Sequence, residues 1–131
     1  MAGPVNGRPG SYDVINRQHR LRSSSDFRTI RKSGKVYRHP LITVAILPNG
    51  MDTTRIGIVT GKPVGGAVKR NLVKRRLRAC MNEQLSVLIK GWDIVIIARP
   101  KSGQVAFSDL RAAVMSLLKK TGVIQPADRL S

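Results

Sequence analysis

The chain has 131 residues, enough for one domain with a single core and too few for two, because smaller pieces bury too little surface to hold together. Lys and Arg number 24 against 7 Asp and Glu, a formal charge of +17 that opposes compaction and that no packed fold requires, while a 41% hydrophobic content marks a folded domain and not a disordered basic tail. No apolar run reaches the ~18 to 20 residues of a membrane-spanning helix, and no secretory-type apolar segment opens the chain, so a soluble cytoplasmic protein with a polyanionic partner and no membrane is expected.

Taken in chain order, residues 1–19 mix Gly, Pro and polar residues without apolar periodicity, and read as a flexible basic tail. Residues 20–122 read as a single α/β domain, and residues 123–131 as a C-terminal tail. From Ser24 the stretch SSDFRTIRKSG carries N-cap candidates, an acidic first turn, Phe27 and Ile30 three apart, late basic residues and Gly34 as terminator, which predicts a short amphipathic helix. Leu41 to Leu47 and Arg55 to Thr60 are rich in Val, Ile and Thr and are separated by PNGMD, with its Asn49-Gly50 turn, so an antiparallel hairpin is expected. The loop GKPVGG leads into a helix from Ala67 into the eighties, breaking near Asn82 before a further helical turn that ends at Gly91. Asp93 to Ala98, almost wholly apolar, predicts a central strand. Ser108 is the expected cap of a last helix from Asp109 to about Lys120, with Leu110, Val114, Leu117 and Leu118 at helical spacing and Gly122 past its end. The order α-β-β-α-β-α predicts an α+β, two-layer sandwich with helices shielding a central mixed sheet.

Charge is concentrated in the middle of the chain. Between Asp52 and Glu83 no acidic residue occurs, while eight basic residues do, seven of them between Lys62 and Arg78. On a helix, Arg70, Lys74 and Arg78 form one i, i+4, i+8 stripe, and Asn71 and Arg75 form a second beside it. Val68, Leu72, Val73, Leu77 and Cys80 are expected to supply the apolar side, with Lys69 and Arg76 snorkelling out of it. A solvated helix face ordinarily alternates sign, whereas this one leaves like-charge repulsion standing, so phosphate is the fitting partner: each neutralised phosphate releases condensed counterions. Arg grips phosphate bidentately, and Asn can both donate and accept.

Signals for protein-based catalysis are weak. Cys80 is the only cysteine, which excludes an internal disulfide, and a lone thiol among apolar helix neighbours reads as core. His19 and His39 are isolated, so no metal site is expected, and the scattered carboxylates mark no metal cluster for phosphodiester hydrolysis. GKPVGGAVK is not a phosphate loop, since its Gly-Lys precedes the glycines and no Ser or Thr follows that Lys.

Gly65, Ala67, Val68, Arg70, Asn71, Lys74, Arg75 and Arg78 match the pattern Gly-x-Ala-Val-x-Arg-Asn-x-x-Lys-Arg-x-x-Arg, and in this the chain resembles the bacterial ribonuclease P protein family. The likeness extends over about residues 20–122, through RLRSSSDF, the basic KSGK turn, Lys62 and the strand WDIVIIARP. It implies a left-handed β-α-β crossover, as in the second domain of a small-subunit ribosomal protein, and a 1:1 complex of a monomeric protein with ribonuclease P RNA. In that complex catalysis in the 5′ maturation of precursor tRNA belongs to the RNA subunit and its Mg2+, and no protein side chain is catalytic. The implied RNA-binding residues are Arg70, Asn71, Lys74, Arg75, Arg78, Lys62 and Lys69. The implied 5′-leader cleft holds Phe27, Arg31 and Lys62. Leu72 departs from the family pattern where a second cation often stands, and Arg31 and Ala45 depart where aromatics are common, which implies a cleft relying more on charge than on stacking. A structural ribosomal or ribosome-associated protein would share the size and charge, and the signature helix is what separates the two.

Overall fold

The computed structural model describes residues 24–124, with side chains described for residues 27–124; the expected N-terminal tail lies outside the described residues. Helix α1 (Ser24–Ser33) is followed by strands β1 (Lys35–Arg38), β2 (Ile42–Pro48) and β3 (Arg55–Val59), helix α2 (Ala67–Gln84), strand β4 (Trp92–Ala98) and helix α3 (Phe107–Thr121). Three short 3-10 segments, Lys62–Val64, Leu85–Val87 and Pro100–Gln104, link them. The fold is α+β, with one mixed four-stranded sheet in the order β1-β2-β4-β3.

That order overturns the expected pairing of β2 with β3. The hairpin is instead β1-β2, antiparallel and closed by the His39 N–H donating to the Ile42 carbonyl at 2.9 Å, while β4 lies between β2 (antiparallel) and β3 (parallel). The physical reason is burial: β4 is the most buried strand, with five of its seven residues buried, and is best placed with a neighbour on each side, and the α2 crossover delivers it parallel to β3. Asn49-Gly50 does form a turn, with Gly50 at φ +69° and the Asn49 Oδ1 accepting the Met51 N–H at 2.8 Å, but residues 49–54 step over one strand position instead of joining adjacent strands. Asn49 also donates through Nδ2 to the Thr53 carbonyl and to Asp93 Oδ1, and Arg55 holds both Asp93 oxygens, at 2.9 and 2.7 Å. The loop is therefore tied to the centre of the sheet.

Alternation along the strands divides the interior. Ile42, Val44 and Ile46 of β2, Ile56 of β3, and Ile94, Ile96 and Ala98 of β4 face α2 and α3 in the main core. Helix α2 contributes Val73, Leu77, Cys80 and Met81 at i, i+4, i+7 and i+8, and α3 contributes Leu110, Ala113, Val114, Leu117 and Leu118. On the opposite face Ile30 of α1 packs on Ala45 and Val95, with Phe27, Val36, Leu47, Val59 and Ile97 around them. Gly34 permits this close docking: a Cβ there would lie 2.2 Å from the Ile46 carbonyl oxygen and 2.6 Å from that of Ile30.

Smaller differences from expectation have local causes. Helix α2 runs to Gln84 before the 3-10 turn, and α3 starts at Phe107 with Ala106 as N-cap and no side-chain capping bond, so Ser108 is not the cap. Gly122 ends α3 in the left-handed conformation (φ +78°), as its position predicts. Val123 and Ile124 are buried, and Ile124 bridges Leu88, so the packed domain continues two residues past the expected boundary.

Candidate nucleic-acid interface

Helix α2 buries one stripe, half-buries the positions beside it and exposes the opposite face, and the buried stripe fixes where the cations point. Asn71 and Arg75 are exposed, while Arg70, Lys74 and Arg78 are half-buried along the flank. Val68, expected on the apolar side, is 85% exposed. At 100° per residue it lies roughly 140° around the helix from Val73 and so joins the Asn71–Arg75 face. Leu72 is half-buried.

The flank is electrostatically strained in one direction. Burial, then Arg78, then Arg70 hold the Lys74 ammonium below its ordinary pKa. Arg70 Nε is buried without a hydrogen-bond partner. No acidic residue occupies the first turn of α2, whose N-cap, Gly66, makes no side-chain bond, so the helix dipole adds to the positive potential there. Glu83 pairs with Arg111 and Asp93 with Arg55, so these two carboxylates are engaged away from the ridge cations.

Lys69 and Arg76 leave the apolar side by different routes. The Lys69 stem is laid over Gly65 and Gly103, close enough that a Cβ on either would fall within 2.8 Å of its Cδ. Gly65, at φ +144°, is also in a conformation that favours glycine. Arg76 reaches back to donate from Nη1 to the Val105 carbonyl at 3.2 Å. Lys69 thus ties α2 to the Pro100–Gln104 segment, and Arg76 ties it to the residue immediately beyond.

A cleft of about 490 Å³ opens on the other face of the sheet. Its wall is Arg28, Arg31 and Lys32, at i, i+3 and i+4 on α1. Its floor is Val36, Ala45, Thr43 and Ile97, and Arg38 closes one end. The cross-strand register explains the floor: Arg38, Thr43, Ile97 and Val59 form one row, and Val36, Ala45, Val95 and Gly57 the next. Of the three residues expected here, Arg31 lines the cleft. Phe27 is half-buried in the packing beneath α1, and Lys62 lies exposed in the turn before α2; neither is among the lining residues. Sequence reasoning misses Arg28, Lys32, Arg38 and Thr43, although the first two share helical spacing with Arg31. Among the described residues no aromatic side chain lines the cleft.

Cys80 is buried, and burial first, then Glu83, push its thiol up to about 11, which suits packing and not nucleophilic attack. Among the described residues no three His, Cys, Asp or Glu side chains come together as a metal site, and no helix is long and apolar enough to cross a membrane.

Together these features define a class: a small basic α+β domain with cationic surfaces on both sides of one sheet. Residues 15–122 match the family model of ribonuclease P. The ribonuclease P protein component of Roseiflexus sp. (strain RS-1) is 36% identical over 115 residues, covering 87% of this chain and 94% of that one. That of Clostridioides difficile (strain 630) is 37% identical over 110 residues, covering 83% and 96%. Among solved structures, a Staphylococcus aureus RNase P protein matches with a TM-score of 0.76 at 28% identity, over 82% of this chain and 98% of that chain. A Thermotoga maritima RNase P protein matches at 0.70 and 38% identity, over 77% and 96%. The chain belongs to the ribonuclease P protein family.

Proposed function

We propose that this chain is the protein subunit of a cytoplasmic ribonuclease P, a monomer that joins one catalytic RNA and supports Mg2+-dependent endonucleolytic removal of the 5′ leader from precursor tRNA. The observation that carries the reading is the α2 ridge, where Arg70, Asn71, Lys74, Arg75 and Arg78 crowd together with an orphan Arg70 Nε donor and a depressed Lys74. A polyanion relieves all of this at once: phosphate oxygens satisfy the donor, favour the charged Lys74 ammonium and offset the mutual repulsion. Lys62 and Lys69 extend the same surface around the N-terminus of α2.

The cleft between α1 and the sheet suits the single-stranded leader. Arg28, Arg31, Lys32 and Arg38 offer phosphate contacts above an apolar floor against which bases can lie. Phe27 serves this site by holding α1 in place. Both faces present N–H donors and cations, which do not fit a resident magnesium ion, so magnesium is held mainly by the RNA. The protein's part is to screen phosphate repulsion between the RNA subunit and its substrate, and thereby to lower the magnesium needed for cleavage.

Reconstitution tests this reading. Purified protein added to a bacterial ribonuclease P RNA and precursor tRNA at low magnesium should raise cleavage at the mature 5′ end, with no cleavage by protein alone. The absence of any gain, or cleavage without RNA, would overturn it.

A further inference from the structure

Val68, Leu72 and Ala79 fall in line on the outward side of α2. With Val68 as origin and 100° per residue, Ala79 lies at about 20° and Leu72 at about 40°, which makes an apolar strip about 16 Å long. Val68 and Ala79 are exposed, and Leu72 is half-buried. Asn71 and Arg75 border the strip on one side, with Lys74 and Arg78 beyond them, and Lys69 and Arg76 border it on the other. The strip ends near Glu83, whose carboxylate accepts from Arg111 Nε at 2.7 Å.

The free fold has no use for this strip. Val68, at 85%, is the most exposed large hydrophobic among the described residues and belongs to neither core cluster. As a β-branched residue it is also a poorer helix former than Ala or Lys. A single exposed Val is ordinary on a protein surface, but this one stands between two cationic borders. A polyanion drawn to both borders must close over it. Phosphate oxygens or ribose hydroxyls pressed on its methyls would lose water and gain no hydrogen bond. An unpaired, unstacked nucleobase instead offers an apolar face that gains by being covered.

We propose that Val68 and Leu72 seat the face of an unpaired nucleobase of the RNA subunit, a contact that adds salt-independent affinity and selects one place on that RNA. The inference rests on the reading that α2 docks on the RNA subunit. The cationic borders favour RNA over a protein as the occupant, and Asn71 can meet the edge of the same base as both donor and acceptor. The ridge thus holds RNA by charge along its length and fixes register through the strip.

The test is the affinity of the full chain for ribonuclease P RNA, without substrate, across a range of monovalent salt. Val68→Ala keeps or improves helix propensity at an exposed position, and circular dichroism checks folding. It should weaken binding about five- to tenfold, the loss of two covered methyls, at every salt concentration and with the wild-type slope. Val68→Thr, of the same shape, should also weaken binding, because its hydroxyl is desolvated against the base. Cys80 is buried, so a photocrosslinker on Val68→Cys reports one position and finds the nucleotide. Removing that base should weaken the wild type and leave Val68→Ala no weaker than before. Wild-type affinity for Val68→Ala, equal or tighter binding by Val68→Thr, additive losses for the base and Val68, or no crosslink to the RNA subunit would each overturn the seat. Failure of the docking reading would be recognised separately, as Arg70→Ala with Arg75→Ala keeping the wild-type slope and affinity.

Discussion

Lys74 sits one helical turn from Arg70 and one from Arg78, and its half-buried position makes their repulsion felt. Its folded pKa lies below the ordinary 10.5, so the charged form costs stability at neutral pH. The cost persists at all pH values below the folded pKa and is relieved as pH climbs from there toward 10.5. Lys74→Met should therefore raise the melting temperature of the free protein at pH 7 by about 2 °C, as ~0.5 kcal/mol would in a domain of this size, with solvent screening keeping the effect small. The gain should shrink as pH rises toward 10.5, while affinity for the RNA subunit falls. A lower melting temperature at pH 7 would show that Lys74 stabilises the free fold.

Phe27 poses a different question at the same scale. Its ring packs against the sheet beneath α1, so Phe27→Ala should cost about 1.5 to 3 kcal/mol in urea unfolding and weaken leader binding by loosening the Arg28–Arg31–Lys32 wall. Phe27→Leu should restore most of both. If Leu restores stability but not leader affinity, the ring itself stacks on a base. Spacing alone could not make this distinction, because a Phe at i with Ile at i+3 looks the same whether it meets a core or a nucleotide.

Among the elements, α2 and β4 are the most legible in the sequence, because each carries its own signal: a dense one-signed charge stripe, and an unbroken apolar run. The order of the strands is not legible. β2 and β3 each look like half a hairpin, and what separates them is β4, about 40 residues further on, chosen by burial on both faces. β1 is four residues long with Lys35 and Arg38 exposed at its ends, the features that protect a sheet edge and that also hide a strand from pattern reading. A hidden β1 conceals the cleft floor as well, since Val36 and Arg38 belong to it. Gly34 joins α1 to β1 at backbone contact distance, so Gly34→Ala should destabilise the domain by about 1 to 3 kcal/mol in urea unfolding, the usual range for overpacking. Unchanged stability would mean that α1 can lift from the sheet at little cost, and that the cleft is adjustable.

For the whole molecule, a +17 chain whose described residues carry cations on both sides of one sheet is an unfavourable arrangement for an isolated domain and a favourable one between two polyanions. The α2 side would meet the RNA subunit and the α1 side the leader, with the sheet holding the two at a fixed separation. Net charge alone indicates the partner's sign; that the cations fall on two opposed faces comes from strand alternation, which becomes clear only once the register is known.

Affinity of the protein for ribonuclease P RNA, measured across a range of monovalent salt, tests the α2 ridge most directly. About five phosphate contacts should give a log–log slope near −3.5 to −4.5, and Arg70→Ala with Arg75→Ala should make it shallower by about 1.4 to 1.8 while weakening binding. A wild-type slope near zero, or a double variant that keeps the wild-type slope and affinity, would contradict the account.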